Sequence, residues 1–107
     1  MELVWRVNHL TSKKILIIYD NKIQSFSKAE RKFIKFSSEM SRYGIKYARH
    51  GKMTFANGGV VHQVNVRDLG YVIQSGETYD DVYIYGEVTN IENVIKDVFT
   101  GKINFEK

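Results

Sequence analysis

Apolar residues recur at helical spacing between residues 27 and 43. Steps of four and three residues alternate along this stripe, whose members are Ala29, Phe33, Phe36, Met40 and Tyr43. Ser27 and Glu30 stand at its start in the pattern of a capping box, and Gly44 follows it as a C-terminal cap. The pattern predicts an amphipathic helix over Ser27–Tyr43.

The same logic predicts a second helix closer to the C-terminus. Thr89 and Glu92 form its capping box, and Gly101 ends it. The face predicted to be buried consists of Ile91, Val94, Ile95, Val98 and Phe99.

Strands are indicated by two runs that are apolar at every position, Ile15–Tyr19 and Val82–Tyr85. Such runs are typical of strands covered on both faces, as in a parallel or mixed sheet. The turn sequence Asn57-Gly58-Gly59 separates the apolar segments Met53–Ala56 and Val60–Val66. It predicts a hairpin, because Asn and Gly tolerate positive φ.

Weaker patterns predict strands at Ile45–Arg49 and Gly70–Gln74, and a short final strand around Asn104. Together these elements predict one compact domain over residues 1–107, of the α/β or α+β class. Its expected architecture is a mixed sheet of about five or six strands with two amphipathic helices.

The two halves of the chain carry net charges of opposite sign, which bears on what the protein binds. Residues 1–52 contain 12 basic and 4 acidic residues, a net charge of +8. Residues 53–107 contain 4 basic and 8 acidic residues, a net charge of −4. The basic half predicts an anionic partner, and the acidic half indicates a second surface with a different role.

Composition excludes several classes of protein. The chain has no cysteine, which rules out disulfides, zinc–thiolate sites and thiol catalysis. It has neither a signal-peptide pattern nor an apolar run of about 20 residues that could span a membrane. We therefore expect a cytoplasmic protein with no membrane partner, and leave its oligomeric state open.

The first predicted helix carries most of the basic residues on one side. Its basic stripe consists of Lys28, Arg31, Lys32, Lys35 and Arg42, and Lys46 and Arg49 follow directly after the helix. Such a stripe can neutralise several phosphates and so bind nucleic acid. The alternative is an ordinary solvated helix face.

Two acidic residues end the two apolar runs, Asp20 after the first and Glu87 after the second. If the strands are parallel neighbours, both carboxylates face one crevice, where they could hold Mg²⁺ for a nuclease or phosphoesterase. The alternative is that each acid caps a turn. We expect no cofactor unless this enzymatic alternative holds.

Other candidates are weaker. His62 falls on the valine face of its strand, which favours a hydrogen-bonded structural histidine over a metal ligand. The alternating residues Tyr83 and Tyr85 favour packing over base stacking. The acidic segment Glu77–Asp81 could face a partner protein, which makes an inhibitor or regulator module a third possible class of function.

Four segments together resemble part of the ATPase core of phage terminase large subunits and related helicase-like motors. They are Lys14–Asp20 (KILIIYD), Ser41–Ile45 (SRYGI), Met53–Val61 (MTFANGGVV) and Asp81–Glu87 (DVYIYGE), and the resemblance covers roughly residues 14–95. It implies that Val82–Tyr85 stands in the place of the Walker B strand and that Glu87 matches the acid that orients the attacking water.

The chain departs from that pattern at two positions that ATP hydrolysis requires. It has no G-x-x-x-x-G-K-[ST] loop, and Gly86 stands where the Mg²⁺-binding aspartate would be. The resemblance therefore implies a phage or mobile-element type of protein that keeps the sheet of the motor without its activity. Our leading interpretation is a small non-catalytic protein that binds nucleic acid, or a nucleic-acid-processing enzyme, through the basic stripe.

Overall fold

The computed structural model of the chain describes residues 13–88, 90–96 and 99–106. Six strands form one sheet: β1 (Lys14–Tyr19), β2 (Ile45–Arg49), β3 (Lys52–Phe55), β4 (Val60–Asn65), β5 (Tyr79–Tyr85) and β6 (Phe99–Glu106). The helices are α1 (Ile23–Ser41), α2 (Leu69–Gln74) and α3 (Ile91–Ile95), and a 3₁₀ turn over Val66–Asp68 precedes α2.

The strands lie in the order β2-β3-β4-β1-β5-β6. The neighbouring pairs β4–β1, β1–β5 and β5–β6 are parallel, whereas β2–β3 and β3–β4 are antiparallel. The sheet is therefore mixed, and β1 and β5 lie in its interior as adjacent parallel strands. This confirms the predicted fold class and the interpretation of the two apolar runs as strands covered on both faces.

Alternate residues of β1 enter two separate hydrophobic clusters, one on each face of the sheet. Ile15 and Ile17 pack with α1, through Ala29 and Met40. Leu16 and Ile18 pack on the opposite face, where the cluster includes residues of α2 and α3. The period-2 alternation of side chains explains why every position of β1 between Ile15 and Ile18 must be apolar.

The helix α1 begins four residues earlier than the capping-box pattern predicts. It starts at Ile23, and its N-cap residue Lys22 makes no side-chain cap. Ser27 lies inside the helix, so its assignment as the N-cap was wrong. The predicted C-terminal end, Tyr43, is two residues from the observed end, Ser41. Gly44, with φ of 94°, follows the helix and donates its N–H to the Ser41 carbonyl.

The segment Gly70–Gln74 is a helix and not the predicted strand. Asn65 accepts a hydrogen bond from the Arg67 N–H (2.9 Å), which begins the 3₁₀ turn that leads into α2. Leu69 and Val72 then lie one turn apart and are both buried. Their spacing of three residues is the helical signal that outweighs the local apolar run.

The second predicted helix is much shorter than expected. Of its described residues, Ile91–Ile95 are helical, and residues 99–101 belong to β6, which continues through the predicted Asn104 strand to Glu106. Thr89 and Val98 lie outside the described residues. Pairing with β5 outweighs helix propensity here, because Phe99 and all residues from Lys102 to Glu106 pair in parallel with β5.

The hairpin and the edge strand were predicted correctly. β3 and β4 flank Asn57-Gly58-Gly59, where Gly58 has φ of 92°, and β2 occupies the Ile45–Arg49 segment. None of the helices in the described part of the chain has both the length and the apolar composition that a membrane span requires.

Burial of the β1 side chains predicts a large difference between two isoleucines that both lie on the α1 side of the protein. Ile17 is fully buried, whereas Ile34 on α1 is 55% exposed. We expect Ile17→Ala to lower the free energy of unfolding by about 2–5 kcal/mol, and the matched Ile34→Ala to change it by less than about 1 kcal/mol. Urea denaturation measures both, and equal losses would contradict this arrangement of the core.

Candidate functional site

The carboxyl ends of β1 and β5 form a crevice of the kind that binds ligands in open α/β sheets. β1 continues through α1 towards the β2–β4 side of the sheet, whereas β5 continues through α3 to β6 on the other side. The two connections leave in opposite directions, so a gap opens between the two strand ends. Asp20 follows β1 and Glu87 follows β5, so the two acids end adjacent parallel strands.

The Asp20 carboxylate is occupied by hydrogen bonds from the protein itself. Its Oδ1 accepts the Lys22 N–H (3.0 Å), and its Oδ2 accepts the Glu87 N–H (3.0 Å). A hydrogen bond from the Ser25 side chain is the main cause that lowers the pKa of Asp20, and the two backbone N–H groups act in the same direction. Asp20 therefore joins the start of α1 to the turn after β5.

Gly86 is required by this junction. It has φ of 98°, a conformation that side chains with a Cβ rarely adopt, and a Cβ at this position would overlap the Asp20 carboxylate. The close approach of the Gly86 backbone allows the next N–H, that of Glu87, to reach Asp20.

The carboxylate of Glu87 is exposed, so it differs in environment from the 8%-exposed Asp20. Both oxygens of Asp20 are already used, and no group of three or more His, Asp or Glu side chains that could hold a metal ion occurs among the described residues. The arrangement supports, for Asp20, the capping role that we set against the Mg²⁺ site; the Glu87 carboxylate caps no turn among the described residues.

Four of the predicted basic residues converge on one cavity of about 350 Å³ between α1 and the ends of β5 and β6. We call it the basic groove, and it is lined by Lys28, Arg31, Lys32, Lys35, Tyr85 and Glu106. Lys28, Arg31 and Lys35 are exposed, and no acidic side chain of the described residues forms an ion pair with them. Their positive charge is therefore available to a ligand.

Lys32 differs from the other three, because it is held by neighbouring side chains. Its Nζ lies 4.9 Å from the centre of the Tyr83 ring and 3.7 Å from Oε1 of Glu106. These cation–π and ionic contacts fasten α1 to β5 and β6. Lys32 also compensates the charge of Glu106, which would otherwise repel an anion in the basic groove.

A second cavity, of about 410 Å³, adjoins the basic groove between the start of α1 and the ends of β5 and β6. We call it the strand-end cavity. It shares Lys28, Tyr85 and Glu106 with the basic groove, and its other lining residues are Lys22, Gln24, Ser25, Gly86, Glu87 and Phe105. Burial, with Glu106 and Tyr83 nearby, raises the pKa of Tyr85 to about 12, so its hydroxyl stays neutral at pH 7.

The remaining predicted basic residues do not reach this site. Arg42 follows the far end of α1, about 20 Å along the helix axis from Lys28. Lys46 and Arg49 lie on β2, four strands from β5 and hence about 19 Å away across the sheet. The structure thus divides the predicted basic stripe into a cluster at the basic groove and separate exposed residues.

The acidic segment Glu77–Asp81 is paired with lysines of the same chain. Glu77 contacts Lys52 (2.9 Å) and Lys14 (3.9 Å), and Asp81 contacts Lys13 (3.4 Å). Asp80 accepts the backbone N–H of Lys14. These contacts give the segment a role within the fold.

The prediction that His62 is a hydrogen-bonded structural histidine is confirmed. Its Nδ1 lies 3.0 Å from the Tyr79 hydroxyl. Burial, assisted by the positive charge of Lys52, lowers the pKa of His62 to about 4. The imidazole is therefore neutral at pH 7.

Sequence reasoning missed the residues that form the opposite wall of the basic groove. Tyr85 was assigned to packing alone, and Glu106 was not considered. A strand that contains Glu106 is indicated by the alternation of apolar Ile103 and Phe105 with polar Asn104 and Glu106. The sequence predicted a short strand around Asn104, but no local pattern indicated that it pairs with β5 and so brings Glu106 close to α1.

Comparison with known proteins gives no relative. The chain matches no known protein family, and neither the curated proteins nor the solved structures contain a significant match. The resemblance to terminase ATPase cores stays a prediction.

The contact between Gly86 and Asp20 predicts that two glycines with similar φ respond differently to alanine. Gly58 has φ of 92° and nothing within 4 Å of a Cβ, so Gly58→Ala measures the backbone cost alone, about 1–2 kcal/mol. We expect Gly86→Ala to lower the free energy of unfolding by about 1–3 kcal/mol more, because the methyl group must displace Asp20. Urea denaturation would contradict the Asp20 junction if the two losses were equal.

The low pKa of His62 predicts a stability change in mildly acidic solution. Between pH 6.5 and about 4 the unfolded chain binds a proton at His62 that the folded chain does not, so stability falls as the pH decreases through this window. We expect His62→Gln to remove this part of the pH dependence, as measured by urea midpoints across the window. A pH dependence that survives His62→Gln unchanged would contradict this role of His62.

Proposed function

We propose that the protein binds nucleic acid through the basic groove and catalyses no reaction on it. The observation that carries the proposal is the convergence of Lys28, Arg31 and Lys35 on one cavity, where no acidic side chain of the described residues pairs with them. Lysine and arginine that face one groove can contact successive phosphates of a nucleic-acid backbone.

Their spacing supports this proposal. Lys28 and Lys35 lie seven residues apart on α1, which is a rise of about 10 Å along the helix axis, and Arg31 lies between them. A row of cations along one side of a groove suits a linear polyanion better than a single small anion.

The same geometry favours nucleic acid over the two alternatives. An enzyme built on Asp20 and Glu87 would need Asp20 to give up its hydrogen bonds with the Lys22 and Glu87 backbone. A regulator that binds through Glu77–Asp81 would compete with the ion pairs of Glu77 and Asp81. The basic groove needs no such rearrangement.

Binding of a labelled oligonucleotide, measured by fluorescence anisotropy at about 50 and 200 mM salt, tests the proposal. We expect affinity to fall steeply with salt. In the variant Lys28→Gln/Arg31→Gln/Lys35→Gln, the slope of log K against log salt should decrease by about 1 for each cation removed.

The matched control is Arg42→Gln/Lys46→Gln/Arg49→Gln, which removes the same charge from exposed positions outside the basic groove. It should change the slope much less. The absence of binding at low salt would refute the proposal, and equal effects of the two triple variants would refute the basic groove as the site.

A further inference from the structure

We infer that the strand-end cavity accepts one nucleoside unit of a single-stranded nucleic acid, so that the protein prefers single strands to duplexes. The inference rests on the proposed function, because the phosphates on either side of that nucleoside would lie in the basic groove. It adds a second kind of contact, to the base and sugar, in a part of the site that differs chemically from the basic groove.

The chemical difference lies in the hydrogen-bonding groups of the two cavities. The basic groove presents mainly cations. The strand-end cavity contains Lys22 and Lys28, but it adds the carboxylate of Glu87 and the amide of Gln24 to the neutral Tyr85 side chain, which lines both cavities. A phosphate diester has only acceptors, and the Glu87 carboxylate repels it. A nucleoside carries N–H or O–H donors as well as acceptors, so it can satisfy all three groups.

The carboxylate of Glu87 is free to accept such hydrogen bonds. Its backbone N–H is used by Asp20, but its side-chain oxygens have no partner among the described residues, and the residue is exposed. The other acid of the strand-end cavity, Glu106, is already paired with Lys32. Glu87 is therefore the acid of this site that is open to a ligand.

The position of Lys28 connects the two parts of the site. Lys28 lines both the basic groove and the strand-end cavity, as does Tyr85. A phosphate held by Lys28 would place its attached nucleoside at the entrance of the strand-end cavity. The cavity volume of about 410 Å³ lies within the range of small-molecule sites in proteins.

This arrangement favours the binding of single-stranded over double-stranded nucleic acid. In a duplex the bases are paired and stacked, so one base would have to leave the helix before it could enter the strand-end cavity. A single strand needs no such step. We therefore expect a single-stranded oligonucleotide to bind at least about tenfold more tightly than its duplex at equal salt, because only the duplex must extrude a base.

Four probes separate base contacts from phosphate contacts in anisotropy or competition measurements on the full chain. They are a single-stranded oligonucleotide, the same strand with abasic sites, its duplex, and free nucleoside monophosphates. We expect the intact single strand to bind most tightly, because the abasic strand keeps only the phosphates. Free monophosphates should compete weakly, because they lack the neighbouring phosphates that Arg31 and Lys35 would hold.

The variant Glu87→Ala tests the inference, because recognition of phosphates alone and recognition of a nucleoside predict changes in affinity of opposite sign. Removal of a negative charge beside the basic groove should strengthen binding if only phosphates are recognised. If Glu87 accepts hydrogen bonds from a nucleoside, the same change should weaken binding of the intact single strand about fivefold. It should not weaken binding of the abasic strand.

Glu39→Ala is the matched control, because it removes the same charge from an exposed position of α1 outside the strand-end cavity. It should leave binding of both strands unchanged or slightly stronger. Unchanged melting temperatures would show that both variants are folded, as the exposure of the two side chains leads us to expect.

The outcomes also separate this inference from the proposed function. If intact, abasic and duplex probes bind alike and Lys28→Gln/Arg31→Gln/Lys35→Gln still weakens them, the nucleoside site is refuted and the phosphate contacts stand. If free monophosphates compete as well as the strand, a mononucleotide site replaces the strand site. If no probe binds at low salt, the proposed function fails as well.

Discussion

The carboxylate of Asp20 joins the short segment between β1 and α1 to the turn after β5, which lies 67 residues further along the chain. It does so by accepting hydrogen bonds from the backbone N–H groups of Lys22 and Glu87, each at 3.0 Å. The backbone N–H of Asp20 donates to the Tyr85 carbonyl at 3.2 Å. A buried carboxylate is stable only when several donors surround it. The conformation of Gly86 and the early start of α1 both follow from this requirement.

The junction also sets the position of α1, and through it the position of the candidate site. Once α1 begins at Ile23, its apolar side packs on β1 and β4, and its basic flank faces the ends of β5 and β6. Lys32 then contacts Tyr83 and Glu106, which holds this flank against the sheet. Asp20 and Lys32 thus hold α1 in place. The other cations of the basic groove, Lys28, Arg31 and Lys35, stay available to a ligand.

Some of the fold and of the site could be predicted from local patterns, and some could not. The continuous apolar runs of β1 and β5 and the Asn57-Gly58-Gly59 turn predict their elements correctly, because burial on both faces and positive φ restrict the residue types directly. The start of α1 was predicted wrongly, because Ser27 and Glu30 match a capping box while the actual partner of the first turn is Asp20. Phe99 was assigned to a helix that ends at Gly101, whereas pairing with β5 places it in the same strand as the predicted Asn104 segment.

The single domain, its mixed sheet and the concentration of positive charge in residues 1–52 could all be predicted from the amino-acid sequence, because composition and hydrophobic period are local properties. Which of those charges act together depends on how the chain folds. Lys28, Arg31 and Lys35 share a cavity with Tyr85, whereas Lys46 and Arg49 lie on a distant edge strand. The reason is physical: strand order and hydrogen bonds between distant segments determine which side chains share a surface, and no local pattern records them.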